Sequence, residues 1–239
     1  GKLTGFTAAC GPVIYRGDNF PPEFRGNAFV AEPSANLVHR NILLEQDGIV
    51  TATNVYESAA KTEFLTSTDE RFRPVNLYNG PDGTLYLVDI RRGIIQHRIY
   101  MTSFLRQQVE NRGLDRPVDQ GRIYRVVHEG KRPGRTPRLA QANRAQLIAA
   151  LSHPNGWWRD TAQRLLVERK NPASAVPLRR LAVKSPDPLA RLHSLWTLEG
   201  LGALDEPTLR GAFHDPHPKV RSSAIRLSEP FLKRIVQLL

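Results

Sequence analysis

From residue 10 to about residue 127 the apolar positions come in short or alternating runs. Turn signals end these runs: Pro21-Pro22, Asp47-Gly48, the stretch from Asn79 to Gly83, and Arg92-Gly93. Alternation of this kind predicts half-buried β-strands, and Asp-Gly or Asn-Gly between such runs is a strong hairpin signal. Two segments repeat one another. Gly26 to Pro33 followed by Asn36 to Arg40 matches Gly83 to Ile90 followed by Ile94 to Arg98. Each unit reads as an apolar strand, an acidic residue, a turn, and a second strand ending in His-Arg. Phe29 and Tyr86 are 57 positions apart, and His39 and His97 are 58 apart. That period predicts β-propeller blades with insertions. A further strand is predicted over residues 121–127. Tyr100, Phe104, Leu105 and Val109 fall near one helical face, which predicts a helical insertion around residues 100–112.

From residue 142 the period becomes helical. Three corners break it: Ser152 to Asn155, Ser185 to Pro188, and Asp215 to Pro218. After each, an arginine opens an apolar helix, at Arg159, Arg191 and Arg221, with spacings of 32 and 30. Ala162, Ser194 and Ala224 recur in step, small residues where helices approach closely. Leu147, Leu151, Leu165 and Leu166 form the stripe of the first pair; Val176, Leu178, Leu181, Leu195 and Leu198 form that of the second. Paired helices at this period read as a HEAT-like solenoid, in which each pair buries its apolar face on its neighbour. The predicted fold class is therefore β + α in two domains. A partial β-propeller, its closing blades, occupies 1–127; a linker rich in proline, glycine and charge occupies 128–141; and an α-α HEAT-like solenoid of about three helix pairs occupies 142–239.

Composition adds three constraints. With 40% hydrophobic residues, the chain can bury a core. A single cysteine, Cys10, excludes an internal disulfide framework and a multi-cysteine metal site. No apolar run reaches the length needed to span a membrane. The chain starts at Gly1, its only methionine is Met101, and two or three blades cannot close a propeller. The expectation is a piece of a longer product, with blades before it and more chain after the uncapped helix at its end. The charge of +11 is uneven: residues 101–239 hold 24 Lys/Arg against 12 Asp/Glu. A basic half suits an anionic partner, or is the solvated surface of arginine-rich repeat helices.

Two stretches carry a family resemblance. One runs from Ala9-Cys10-Gly11-Pro12 through Tyr15 to Asp18, then Arg25 to Phe29, Glu32-Pro33 and Asn36 to Val38. The other runs from Phe72 to Asn76, then Gly80 to Tyr86, Asp89, and Arg92 to Arg98. With Gly121 to Arg125 and the HEAT-like tail, these resemble the exported membrane-bound dehydrogenases of planctomycete-type bacteria. Those are similar to soluble glucose/sorbosone dehydrogenases in their propeller, which HEAT repeats and a cytochrome c commonly follow. Arg91 departs from the pattern, which has an aromatic residue before Arg92-Gly93.

The resemblance implies oxidation of a sugar or alcohol, with electrons passed to a cytochrome c haem outside this chain, and a periplasmic or exported setting. It implies pyrroloquinoline quinone, with Ca²⁺, as candidate cofactor. The base that takes the substrate proton belongs to an early blade, so no catalytic residue is assigned and the chain alone is expected to be inactive. Arg71, Arg73, Asn76 and Asp89 are the candidate cofactor-binding residues. Arg71 and Arg73 stand at i, i+2, which on an extended strand sends both side chains to one face. Two guanidinium forks would suit a polyanionic cofactor; surface charge beside Asp69 and Glu70 is the alternative reading. Asp89 and Glu32 occupy matching positions, where they could hold a turn, line the mouth or ligate Ca²⁺. His39 and His97, at matching strand ends, read as repeat architecture.

No P-loop, G-x-G-x-x-G, G-x-S-x-G or H-E-x-x-H is present. The His214 to Pro218 cluster is turn chemistry at a helix corner rather than a metal site. Against the dehydrogenase stand a non-catalytic scaffold for a protein or polysaccharide partner and a nucleic-acid-binding solenoid. The last is disfavoured, because the arginines recur at repeat-equivalent positions without interleaved aromatics for base stacking. No specific nucleic-acid partner is expected.

Overall fold

The computed structural model describes residues 6–56 and 62–236. The chain divides into two units, residues 1–135 and 136–239. The first holds antiparallel sheets and the second holds helices, a β + α layout.

In the first unit β1 (Cys10–Ile14), β2 (Ala28–Glu32), β3 (Leu37–Gln46) and β4 (Ile49–Asn54) form a meander in chain order, with the short β5 (Leu65–Thr66) on the start of β3. A second meander runs β6 (Pro74–Asn79), β7 (Leu85–Asp89), β8 (Arg122–Val126). Alternation decides the inward faces: Phe29, Ala31, Val38, Leu77, Leu85 and Leu87 are buried in one shared core with Tyr15. The first strands of the two sheets lie side by side, β1 and β2 against β6. Gly11 permits this approach. Its φ is +54°, and a Cβ there would sit 2.5 Å from the Val75 carbonyl oxygen. Tyr15 ties the sheets at the other end, donating its hydroxyl to the Gly83 carbonyl at 2.5 Å and accepting from the Asn19 and Phe20 amides.

The turn at Asp47-Gly48 has positive φ at both residues, 52° and 78°, the geometry of a two-residue hairpin turn whose twist suits its strands. Beyond Asn41, β3 pairs only with β4 among the described residues, and there the hairpin leaves its sheet as a two-stranded ribbon. Leu44, Ile49 and Val50 are 56%, 66% and 58% exposed on it.

The second repeat unit differs from expectation. Residues 94–98 are not a strand, and His97 is exposed in a connection. The chain leaves the sheet at Arg91, a non-glycine residue with φ +44°, and the slot beside β7 is filled by β8, with Leu85 opposite Val126 and Asp89 opposite Arg122. His39 lies within β3 rather than at its end. The β7–β8 connection carries α1 (Ser103–Asn111), capped by the Thr102 hydroxyl, which accepts from the Leu105 amide. Its buried face centres on Val109; Tyr100 and Phe104 point outward, 69% and 70% exposed.

In the second unit α2 (Arg144–Ala150), α3 (Gly156–Arg169), α4 (Ala175–Lys184), α5 (Pro188–Gly200), α6 (Glu206–Phe213) and α7 (Pro218–Leu227) pack as successive pairs, followed by α8 (Glu229–Val236). α3, α5 and α7 form one layer. The corners use one clasp. Arg159 donates to the carbonyls of His153 and Pro154, Arg191 to Ser185 and Pro186, and Arg221 to Asp215 and Pro216. Asn155, Asp187 and His217 cap the three helices that follow. Ala162, Ser194 and Ala224 are fully buried, as their small size requires. Val176 is not in the stripe: it is 72% exposed, because α4 buries the face carrying Leu178 and Ala182.

Candidate functional site

Three connections meet at one end of the β unit: β2–β3 around Ser34 and Asn36, β5–β6 around Asp69 to Arg73, and β7–β8 from Ile90 onward. Arg73 joins them. Its Nη1 donates to the carbonyls of Pro33 at 2.7 Å and Ser34 at 3.4 Å, its Nε to Arg92 at 2.9 Å, and its Nη2 to Gly93 at 2.9 Å. Burial pushes this guanidinium down from its ordinary pKa, opposed by the charges of Glu70 and Asp89.

Asp89 is buried and stands at the end of β7. One carboxylate oxygen accepts from the amides of Arg73 and Arg91, both at 2.7 Å, which fixes the turn at Arg91. The other oxygen has no partner among the described residues. Arg91 reaches Asp69 at 2.7 Å. The Asp69 carboxyl is held below its ordinary range, first by the Arg71 amide and then by Arg91.

Arg71 turns elsewhere, donating to the carbonyls of Gly113 at 2.7 Å and Arg116 at 3.2 Å. The expectation that Arg71 and Arg73 share a strand face does not hold. Residues 69–72 form a turn closed by the Phe72 amide on the Asp69 carbonyl, and β6 begins only at Pro74. Asn76 keeps apart from the arginines and bonds Tyr78 at 2.8 Å. Thus Arg71, Arg73 and Asp89 come to one end of the sheets, where their groups hold loops, and Asn76 sits on β6 beside Gly11.

Glu32, at the position matching Asp89, is buried and accepts from the Ala8 amide through both oxygens at 3.2 Å. His39 contacts Glu63 through Nδ1 at 2.7 Å and Asn41 through Nε2 at 3.2 Å. Among the described residues no three His, Cys, Asp or Glu side chains converge as a metal site. Asp215 serves its corner, paired with Arg191 and accepting from the His217 amide.

Between α1 and these connections lies a cavity of about 440 Å³. Val109, Leu105, Leu114 and Ile94 supply apolar surface, while Ser34, Asn36, Gln96 and Gln108 supply neutral polar groups. Glu70 and Arg112 form a half-exposed ion pair at the same place. Sequence reasoning missed Gln96, Gln108 and Ser34. The one available signal was the α1 periodicity, in which Gln108 flanks Val109. In the helical unit a cavity of about 590 Å³ lies beside α2 and is mainly apolar, with His153 stacked on Trp158 at 4.0 Å.

A domain of unknown function, DUF7133, matches residues 1–130, more than half of the chain. The chain belongs to the DUF7133 family. HEAT repeats match residues 144–228, which covers α2 to α7. No curated protein and no solved structure matches the chain. The DUF7133 region holds both sheets, α1 and the 440 Å³ cavity.

Proposed function

We propose that this chain is part of an exported quinoprotein-like dehydrogenase that oxidises sugars or alcohols and passes electrons to a cytochrome c haem, and that this piece contributes binding walls rather than reacting groups. The observation that carries the reading is the convergence of the β2–β3, β5–β6 and β7–β8 connections on one cavity at a single sheet end. Two consecutive meanders with their first strands side by side suit successive propeller blades, and the HEAT stack follows them as in the family the sequence resembles.

The quinone is a separate matter. Its carboxylates need free guanidinium donors. Arg73 has four contacts to main-chain carbonyls, and Arg71 has two. Arg73, engaged through all three nitrogens, does not fit a clamp on pyrroloquinoline quinone, and Arg71, held by Nη2 alone with Nε unpartnered among the described residues, turns to Gly113 and Arg116 instead of pairing with it. A lone carboxylate, Asp89, among the charges of Arg73 and Arg91 does not fit Ca²⁺, which takes six to eight oxygens. The proposal therefore places any quinone clamp outside this chain.

The test is dye-linked oxidation of sugars and alcohols by the full-length protein with added quinone and Ca²⁺. Quinone-dependent turnover is expected, with the quinone requirement unchanged in Arg73→Ala once the variant is shown to be folded. A raised requirement in a folded Arg73→Ala would return that arginine to the cofactor site. Absence of quinone-dependent turnover would sink the dehydrogenase and leave the scaffold reading, which the full engagement of Arg73 favours.

A further inference from the structure

We propose that the cavity under α1 is a subsite for a neutral polyhydroxylated ligand, a sugar of about monosaccharide size, and not for an anion. This rests on the reading above only in taking the loop end as the ligand-facing end. At about 440 Å³ the space lies within the range of small-molecule sites.

The chemistry of the wall argues the rest. The Ser34 hydroxyl, the Gln96 amide and the Gln108 amide nitrogen have no hydrogen-bond partner among the described residues. Asn36 donates to the Asp69 and Phe72 carbonyls, which leaves its own carbonyl oxygen to accept. These groups together donate and accept without charge, the complement of a hydroxyl, which does both. The cations are engaged: Arg73 by main-chain carbonyls, Arg112 by Glu70 and the Gln108 carbonyl oxygen. Among the described lining residues a carboxylate or phosphate entering here would meet no free cation, and it would face Glu70. The floor of Val109, Leu105 and Leu114 offers apolar surface to the C–H face of a ring. Burying that surface without stranding polar groups is what an amphiphilic sugar ring allows.

Saturation-transfer NMR and calorimetry on this chain, with glucose, mannose and galactose as probes and gluconate as the charged control, test the proposal. At least one hexose is expected to bind with a Kd of about 1 mM, and gluconate more weakly. Gln108→Leu should weaken the hexose by about tenfold, the loss of one hydrogen bond. Gln107→Leu, on the exposed side of α1, should leave binding unchanged with the same melting behaviour. Leu105→Trp should block the cavity. Gluconate binding more tightly than every hexose, no hexose binding, or parent-like binding by Gln108→Leu would each overturn the subsite. The two readings fail separately. Hexose binding here without quinone-dependent oxidation by the full-length protein sinks the dehydrogenase alone, and oxidation without hexose binding here sinks the subsite alone.

Discussion

Arg73 and Asp215 show how single side chains hold this molecule. Arg73 reaches carbonyls from two separate connections, a task that needs a planar fork with several donors. Arg73→Lys should therefore cost about 1–3 kcal/mol of stability and expose the β7–β8 connection, read by denaturant melts and limited proteolysis. Lys that preserved both would show that charge alone suffices. Asp215 meets Arg191 through two contacts of 2.6 and 2.7 Å, with both side chains below a tenth exposed. The Arg191 hydrogen bond, then the His217 amide, outweighs burial and holds the Asp215 carboxyl below its ordinary range. A carboxyl lowered in the folded state stabilises fully above its unfolded pKa, near ~3.9, and loses that contribution as pH falls through the folded value. Asp215→Ala should cost about 3–5 kcal/mol at pH 7, and the gap to the parent should narrow below about pH 4. A gap that did not change with pH would remove the ion pair as its cause. The sequence marked Arg71, Arg73 and Asp89 as neighbours but not their partners. Those partners are backbone carbonyls delivered by connections that meet only after folding, and the i, i+2 argument presumed a strand where Asp69 closes a turn.

At the scale of elements, proline and asparagine corners made the helices readable, because caps and breakers act within a few residues. Strand identity was less readable. Ile94 to Arg98 and Arg122 to Val126 are both short runs that mix apolar residues with Arg, and only pairing with β7 distinguishes them; that pairing is long-range and is set by the turn at Arg91. Val176 and Phe104 were misplaced for a related reason, since a helical period fixes a face but a neighbour decides which side of it is covered. Two substitutions probe elements directly. Asn143→Ala removes one half of the α2 capping box, the bond its side chain accepts from the Gln146 amide, keeps the Asn143 amide on the Gln146 side chain, and should cost about 1 kcal/mol in thermal melts. Ser194→Leu forces a large side chain into a fully buried position of α5 and should cost about 1–3 kcal/mol. A tolerated leucine there would show that the stack has slack at that level.

For the molecule as a whole, charge is the property that composition gave most directly. Residues 101–239 carry 24 basic against 12 acidic residues, and part of that excess is engaged in the corner clasps. The remainder should bind heparin or duplex DNA weakly, without sequence preference, and release it as salt rises through the physiological range. Sequence-selective binding that survived such salt would instead favour a nucleic-acid role. What composition did not disclose is the hairpin that runs past its sheet. A two-stranded ribbon standing alone is marginal, so its amides should exchange with deuterated solvent well before those of β7. Its unpaired edge and the bare Leu44, Ile49 and Val50 also set how the purified chain behaves on the bench. Two ribbons that meet can continue one another's ladder, so storage life should shorten as concentration rises, and Val50→Lys should lengthen it in light-scattering time courses.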